Sequence, residues 1–395
     1  PKGDNKTSVR AAFGLYYVPI NPIGGANEFT RGFTASKTFQ TTDGGITFPM
    51  LLSEAFPVIT LSRAVGPTDT VSTIGPDYPL PYMNEWTLSL QHEIFKKTLV
   101  EASYIGTKGT RLQVSSRNLN QVPVALLGPG NAQTRRPYPA FGNINYPYEP
   151  MADSIFHGMQ IKMEHRFSAG LNLLGWYALQ KSIDNSSGMK DIRNVGTVGI
   201  QNHYNLRAER SLSTFDRPHS AAITGLYELP FGRGKKFATG GWPSAVIGGW
   251  QINGILTMRT GLPLSMSTSQ NLTGSLGGGS RPNRLRSGKL DASQRSIQRW
   301  FDVAAFQVPP QFQFGNTSRT EPSLRGPGAT QFDFSLFRNV RIAEKLTVQI
   351  RGEAFNVLNR VNFGGPATSI GAAGAGIITS ADDARSLQLG MRLFF

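Results

Sequence analysis

Period-two alternation over segments long enough to cross a bilayer is the feature that most restricts this chain. In TSVRAAFGLYY, Val9, Ala11, Phe13, Leu15 and Tyr17 alternate with Ser8, Arg10, Ala12 and Gly14. In EWTLSLQHEIF, Trp86, Leu88, Leu90, His92 and Ile94 alternate with Glu85, Thr87, Ser89, Gln91 and Glu93. In HGMQIKMEHRF, His157, Met159, Ile161, Met163, His165 and Phe167 face one way, and Gly158, Gln160, Lys162, Glu164 and Arg166 the other. Successive side chains of a strand point to opposite faces, so each segment presents one apolar and one polar face. Ten segments read this way: 7–17, 84–95, 98–106, 157–167, 170–181, 219–229, 249–260, 331–339, 345–358 and 385–395. Each is about 9–14 residues long, whereas globular strands average about 5–6 and a tilted bilayer-crossing strand needs about 9–11.

The connections between these segments alternate in length. The short ones are Lys96 with Lys97, Ser168 with Ala169, 230–249 and 340–345; the long ones are 18–83, 107–156, 182–218, 261–330 and 359–384. In an up-and-down sheet this puts short turns at one end and long loops at the other, the asymmetry of outer-membrane barrels. The polar faces carry Arg10, Glu85, Glu93, Lys162, Glu164, Arg166, Arg351 and Glu353, which are costly in a dry core and unremarkable beside a watery lumen. Phe95, Phe167, Tyr227, Phe231, Trp250 and Phe395 fall near the short-turn end, and Tyr17, Trp86, Tyr104 and Phe355 near the long-loop end, as two interfacial aromatic girdles require. The expected fold is an all-β, antiparallel, up-and-down transmembrane barrel, with long loops outside the cell and short turns in the periplasm.

Composition narrows the alternatives. The chain has 395 residues with 44 Gly, 25 Pro, 24 Phe and no Cys, which excludes disulfides, thiolate zinc sites and Cys nucleophiles. No apolar run reaches the roughly 18–20 residues of a membrane helix. The start, PKGDNKTSVR, has neither Met nor an apolar signal core, so the chain reads as a mature product or, preferably, a piece of something longer. The net charge of +15 suits a solvated surface, a polyanion partner or an anionic membrane surface; no nucleic-acid signature accompanies it.

Several ordered stretches resemble one family: PYMNEWTLSLQHEI, ASYIGTKGTRL, FDRPHSAAITGLYELPFGRGKKF, GGWQINGILTMRTGLPLSM, RGEAFNVLNRVNFG and the terminal LQLGMRLFF. Together they look like the C-terminal part of the barrel of TonB-dependent outer-membrane receptors of the Oar-like group. The resemblance is strongest at the strands and thin in the long loops. It implies a 22-stranded barrel, an N-terminal plug and a TonB box that contacts the energised TonB complex; ten strands are about half of such a barrel, so residues 1–395 are expected to be its C-terminal portion. The last strand places Leu387, Leu389, Met391, Leu393 and Phe395 on one face and ends on an aromatic, which resembles the signal read by the barrel assembly machinery. The same residues would then face lipid.

Catalytic patterns are missing. His92, His157, His165, His203 and His219 form no HExxH or comparable spacing; His157 and His165 stand about 26 Å apart at strand rise and read as interfacial or packing residues. PFGRGKKF lacks Walker spacing and reads as a periplasmic turn, no G-x-S-x-G occurs, and Asp382 with Asp383 reads as a solvated turn rather than a calcium ligand pair. No cofactor or metal is expected. Arg281, Arg284, Arg286, Arg295 and Arg299, with Lys190, Arg193, Arg207 and Arg210, fall in long loops and are candidates to attract anionic ligands or lipopolysaccharide phosphates. The leading expectation is a non-enzymatic barrel in the outer membrane of a Gram-negative bacterium, importing a scarce large solute with TonB energy. The principal alternative is a structural or adhesive surface barrel; an outer-membrane enzyme and a soluble basic binding protein come after it.

Overall fold

The computed structural model describes residues 6–17, 46–47, 66–73, 78–114, 116–147, 149–168, 170–187, 199–343 and 346–395. Ten long strands organise it: β1 (Thr7–Tyr17), β2 (Tyr82–Phe95), β3 (Thr98–Gln113), β4 (Pro150–Ser168), β5 (Leu171–Asp184), β6 (His219–Glu228), β7 (Trp250–Arg259), β8 (Ala329–Ala343), β9 (Leu346–Phe355) and β10 (Ser386–Phe394). They pair in chain order, each antiparallel to the next, in one meandering sheet. All ten expected strands are present. The outer edges of β1 and β10 have no strand partner among the described residues.

The register carries one face across the whole sheet. Directly opposed residues share a face, and one row runs Leu88, Tyr104, Met159, Leu179, His219 through β2 to β6. A second runs Leu256, Phe332 in β7 and β8, and a third Ile350, Met391 in β9 and β10. This outward face is apolar and uncovered by the chain: Leu389 is 89% exposed, Phe13 71% and Leu88 53%. The inward face is polar. Glu101 stands opposite Lys162, Glu164 pairs with Arg166 (3.3 Å) and Lys162 (3.7 Å), and Arg351 reaches Glu353 (3.6 Å) and lies over the Phe337 ring.

Four histidines on the outward face mark its two polar rims. At the short-turn end Nδ1 of His92 meets Thr7 Oγ1 (2.9 Å) and Nδ1 of His165 meets Thr98 Oγ1 (2.8 Å). At the long-loop end His157 bonds the Tyr104 hydroxyl and His219 the Tyr177 hydroxyl, each at 2.7 Å and with stacked rings. Beside them the indole of Trp86 lies over Gly106, where a Cβ would overlap it. Aromatic and imidazole rings with one polar edge suit an interface that is apolar on one side and wet on the other.

Four sequence expectations shift. β3 and β4 run past 106 and start before 157, because their upper ends (Lys108 to Gln113 and Pro150 to Ser154) rise above the apolar band and lose the hydrophobic alternation while keeping the ladder. β9 stops at Phe355, not 358: Asn356 and Asn359 adopt left-handed backbone (φ 51° and 49°), which Asn tolerates better than most residues. Phe355 pairs with Ser386 on the inward face, so it is not part of the outer girdle. The connection 230–249 is no bare turn, since it holds helix α1 (Gly241–Ile247). The side chain of Phe167 and residues Ala169 and Lys345 lie outside the described residues.

The compact hydrophobic core is in the long loops, not the sheet. Leu264, Met266, Phe301, Ala305, Phe306, Leu324 and Ile370 form it, with Trp300 and Val308 packed against it. Short ladders brace it: Pro263–Leu264 with Glu321–Arg325, Asn283–Arg284 with Phe306–Gln307, and Ser267–Thr268 with Ser369–Ile370. A loop of such length inside a compact domain normally needs its own structure, and here the loops at one end make a folded layer.

Candidate functional site

The loop layer is the candidate site, because recognition residues concentrate on loops held by a rigid scaffold. What fixes this layer is a buried polar network. Asp184, the last residue of β5, is 3% exposed and accepts from Ser187 Oγ (2.8 Å) and from Arg319 Nη2. Arg319 is 1% exposed and also donates to Ser187 Oγ (2.6 Å), the Asp184 carbonyl (3.0 Å) and the Glu209 carbonyl (3.0 Å). The Glu209 carboxylate in turn holds Arg281. Two acids and two arginines thus cancel one another away from water. Burial pushes the Arg319 guanidinium below its usual range, and Asp184 and Glu209 push it back. A third buried carboxylate, Asp216, takes Arg325 Nη2 at 2.5 Å and the Ser182 amide at 2.7 Å.

A neutral network joins the loop after β3 to the loop after β5. Asn120 donates through Nδ2 to the carbonyls of Tyr138 (2.9 Å) and Gly142 (2.7 Å), and Gln121 Oε1 accepts the His203 amide (2.8 Å). His203 Nδ1 accepts the Asn118 amide (3.2 Å). Burial, then the nearby Arg117 charge, lowers the His203 imidazole to about 4, so it stays neutral near neutral pH.

The five loop arginines singled out from the sequence divide. Arg281 is buried and paired with Glu209; Arg284 reaches Glu321 (3.2 Å), Arg286 reaches Asp302 (2.7 Å), and Arg299 reaches the same Asp302 (3.6 Å). Arg295 has no carboxylate partner among the described residues; it donates Nε to the Leu290 carbonyl (2.9 Å) and lies over the Trp300 ring. Arg295, Lys289, Trp300 and Arg325 line one cleft of about 390 Å³ in this layer. Arg207 and Arg210 are exposed, while Lys190 and Arg193 lie outside the described residues. A roomier hollow of about 670 Å³ lies where outward-facing Tyr104, His157, Met159 and Leu179 meet Asp216, Pro322 and Arg325 of the loop layer. The terminal residues Leu387, Leu389, Met391 and Leu393 all stand on the outward face, and Phe395 is 99% exposed. Asp382 and Asp383 line a cavity with Asn356 and Asn362, and no three His, Cys, Asp or Glu side chains converge as a metal set among the described residues.

Sequence patterns did not point to Asp184, Glu209, Asp216, Asn120, Gln121 or Arg319. Their partners lie 72 to 135 residues away in the chain for the charged pairs, and no local periodicity encodes such pairings.

A family profile described as "Outer membrane beta barrel domain" matches residues 1–388. Among solved structures, the outer membrane transporter YddB from Escherichia coli superimposes with a TM-score of 0.50 at 14% identity, covering 99% of this chain and 39% of that one. The siderophore receptor PiuA from Acinetobacter baumannii gives 0.43 at 9% identity, covering 100% of this chain and 34% of that one. The chain therefore spans well under half the length of these proteins, and the likeness concerns the fold. No curated protein matches the sequence.

Proposed function

The chain belongs to the outer membrane beta barrel domain family, and on that premise we propose that it is the C-terminal portion of a TonB-dependent receptor barrel of the Oar-like group. Its work is binding and passage, with no bond made or broken. The long loops capture a scarce large solute at the cell surface. A plug and a TonB contact elsewhere in the protein supply the gate and the energy. The edges of β1 and β10, which have no strand partner among the described residues, support a larger barrel, since an open sheet edge in lipid leaves backbone groups unsatisfied. The proposal extends to partners: the assembly machinery reads Leu387, Leu389, Met391, Leu393 and Phe395, and exposed loop cations such as Arg207 and Arg210 meet lipopolysaccharide phosphates.

The observation that carries the reading is the pairing of a two-faced transmembrane sheet with a folded loop layer at one end. That layer holds its own core and a cleft where Arg295 and Lys289, with no carboxylate partner among the described residues, stand beside Trp300. A surface that only adheres needs no such cleft. The test compares cells with and without the intact protein for depletion of solutes from a complex medium, before and after a protonophore collapses the inner-membrane potential. A solute removed only when both protein and potential are present supports uptake. Retention at the surface that ignores the protonophore would reject it.

A further inference from the structure

The connection between β6 and β7 is built differently from the other described turns at its end. Lys96 and Lys97 turn β2 into β3, Lys97 with a left-handed backbone (φ 66°), whereas residues 230–249 fold into a small unit around α1. The position of this unit relative to the sheet is fixed by two side chains. Trp250 and Arg338 are opposed in the β7–β8 ladder and stand on the outward face, the face that also carries the opposed pair Ile252 and Leu336. Trp250 Nε1 donates to the Val246 carbonyl (3.0 Å), and Arg338 donates to the carbonyls of Val246 (3.0 Å) and Ala245 (2.5 Å). The C-terminal end of α1 is therefore fastened to the lipid side of the wall. On the other flank Gly248 sits so close to Gly232 (φ 111°) that a Cβ on either would press on the other's backbone. That contact locks the helix onto its own turn.

The helix leaves apolar surface uncovered. Trp242 is 77% exposed, Val246 56% and Ile247 43%, and Phe237 nearby is 48% exposed. Trp242 and Val246 are four apart and share a side of the helix. Ser244 and Gly248, also four apart, are the buried side. Arg233 and Lys236 lie in the same turn, with Lys236 over the Phe237 ring. A contiguous apolar patch on a soluble surface marks a contact site. Its occupant follows from continuity: the patch extends the lipid-facing rows of β7 and β8.

We propose that α1 is an in-plane membrane foot, with Trp242, Val246 and Ile247 seated among phospholipid chains at the short-turn end and Arg233 and Lys236 at the headgroups. Arg338, a cation on the lipid face, is tolerated because it caps the helix carbonyls rather than meeting hydrocarbon. Indole rings favour this depth. The inference rests on family membership and not on transport, so it stands if the uptake experiment fails.

The test uses the intact protein in vesicles of phosphatidylethanolamine and phosphatidylglycerol containing lipids brominated at the 6,7 or the 11,12 positions. Wild type minus Trp242→Phe isolates the emission of Trp242. The expected result is at least twofold stronger quenching of that difference by the shallow bromines than by aqueous iodide, with the deep bromines weaker than the shallow ones. Quenching by iodide and not by bromolipid would place the foot in water. Protection from both would mean that protein covers it, either a second copy or a partner. Either outcome overturns the proposal.

Discussion

Arg319→Met is the sharpest perturbation of the loop layer. The guanidinium is 1% exposed and makes four hydrogen bonds, two of them to Asp184. Methionine has similar bulk, so the change removes charge more than volume. Asp184 would keep only the Ser187 hydroxyl as a partner and remain 3% exposed. Breaking a buried pair from one side costs about 3–5 kcal/mol, because a bare charge is stranded, whereas replacing both partners with apolar groups is often neutral. The loop layer should therefore open more readily by about 10²–10⁴-fold in hydrogen exchange at the amide of Thr214, which donates to Ser187 Oγ in this network. Arg319 bonds only the end residue of β5, Asp184, so the ladders of β1 to β10 away from that end should keep their protection. The double variant Arg319→Met with Asp184→Leu should recover most of the loss. If the single variant exchanged like wild type, or the double were no better than the single, the argument that this pair clamps the loops would be wrong.

Other expectations concern different parts of the molecule. His203 is held neutral by burial, with its imidazole at about 4 against an ordinary 6.5; an opened loop takes up a proton first, so the layer loses up to about 3 kcal/mol as pH falls from about 6.5 to 4. Denaturation of the loop layer at pH 7 and pH 4.5 should show that difference, and His203→Gln should flatten it. Leu389→Arg places a charge on the uncovered outward face and should cost about 2–4 kcal/mol in folding into vesicles if that face meets mid-bilayer, with Gln388→Arg on the inward face nearly neutral. Neutralising Lys289 and Arg295 to Gln should weaken binding of inorganic tripolyphosphate at least threefold at low salt, with the difference vanishing at high salt, and the same change at the carboxylate-paired Arg284 should do little.

The strands and their faces were legible in the sequence because the code for them is local. Neighbouring side chains alternate by backbone geometry, and hydrocarbon outside with water inside forces opposite chemistry on the two faces, so Val9 to Tyr17 or Leu387 to Leu393 declares its orientation unaided. Where that contrast fades, so did the reading. Lys108 to Gln113 continue a ladder above the apolar band without alternating, and Val357 and Leu358 remain apolar after the strand has ended at Phe355, between two left-handed asparagines. In the loops the sequence shows which residues carry charge but not which charges cancel. Arg281, Arg284, Arg286, Arg295 and Arg299 look alike in a basic segment, yet only the fold brings Glu209, Glu321 and Asp302 to four of them and leaves Arg295 over an indole. Such pairing depends on chain closure over many tens of residues, and nothing in the neighbours of an arginine records where its carboxylate will arrive.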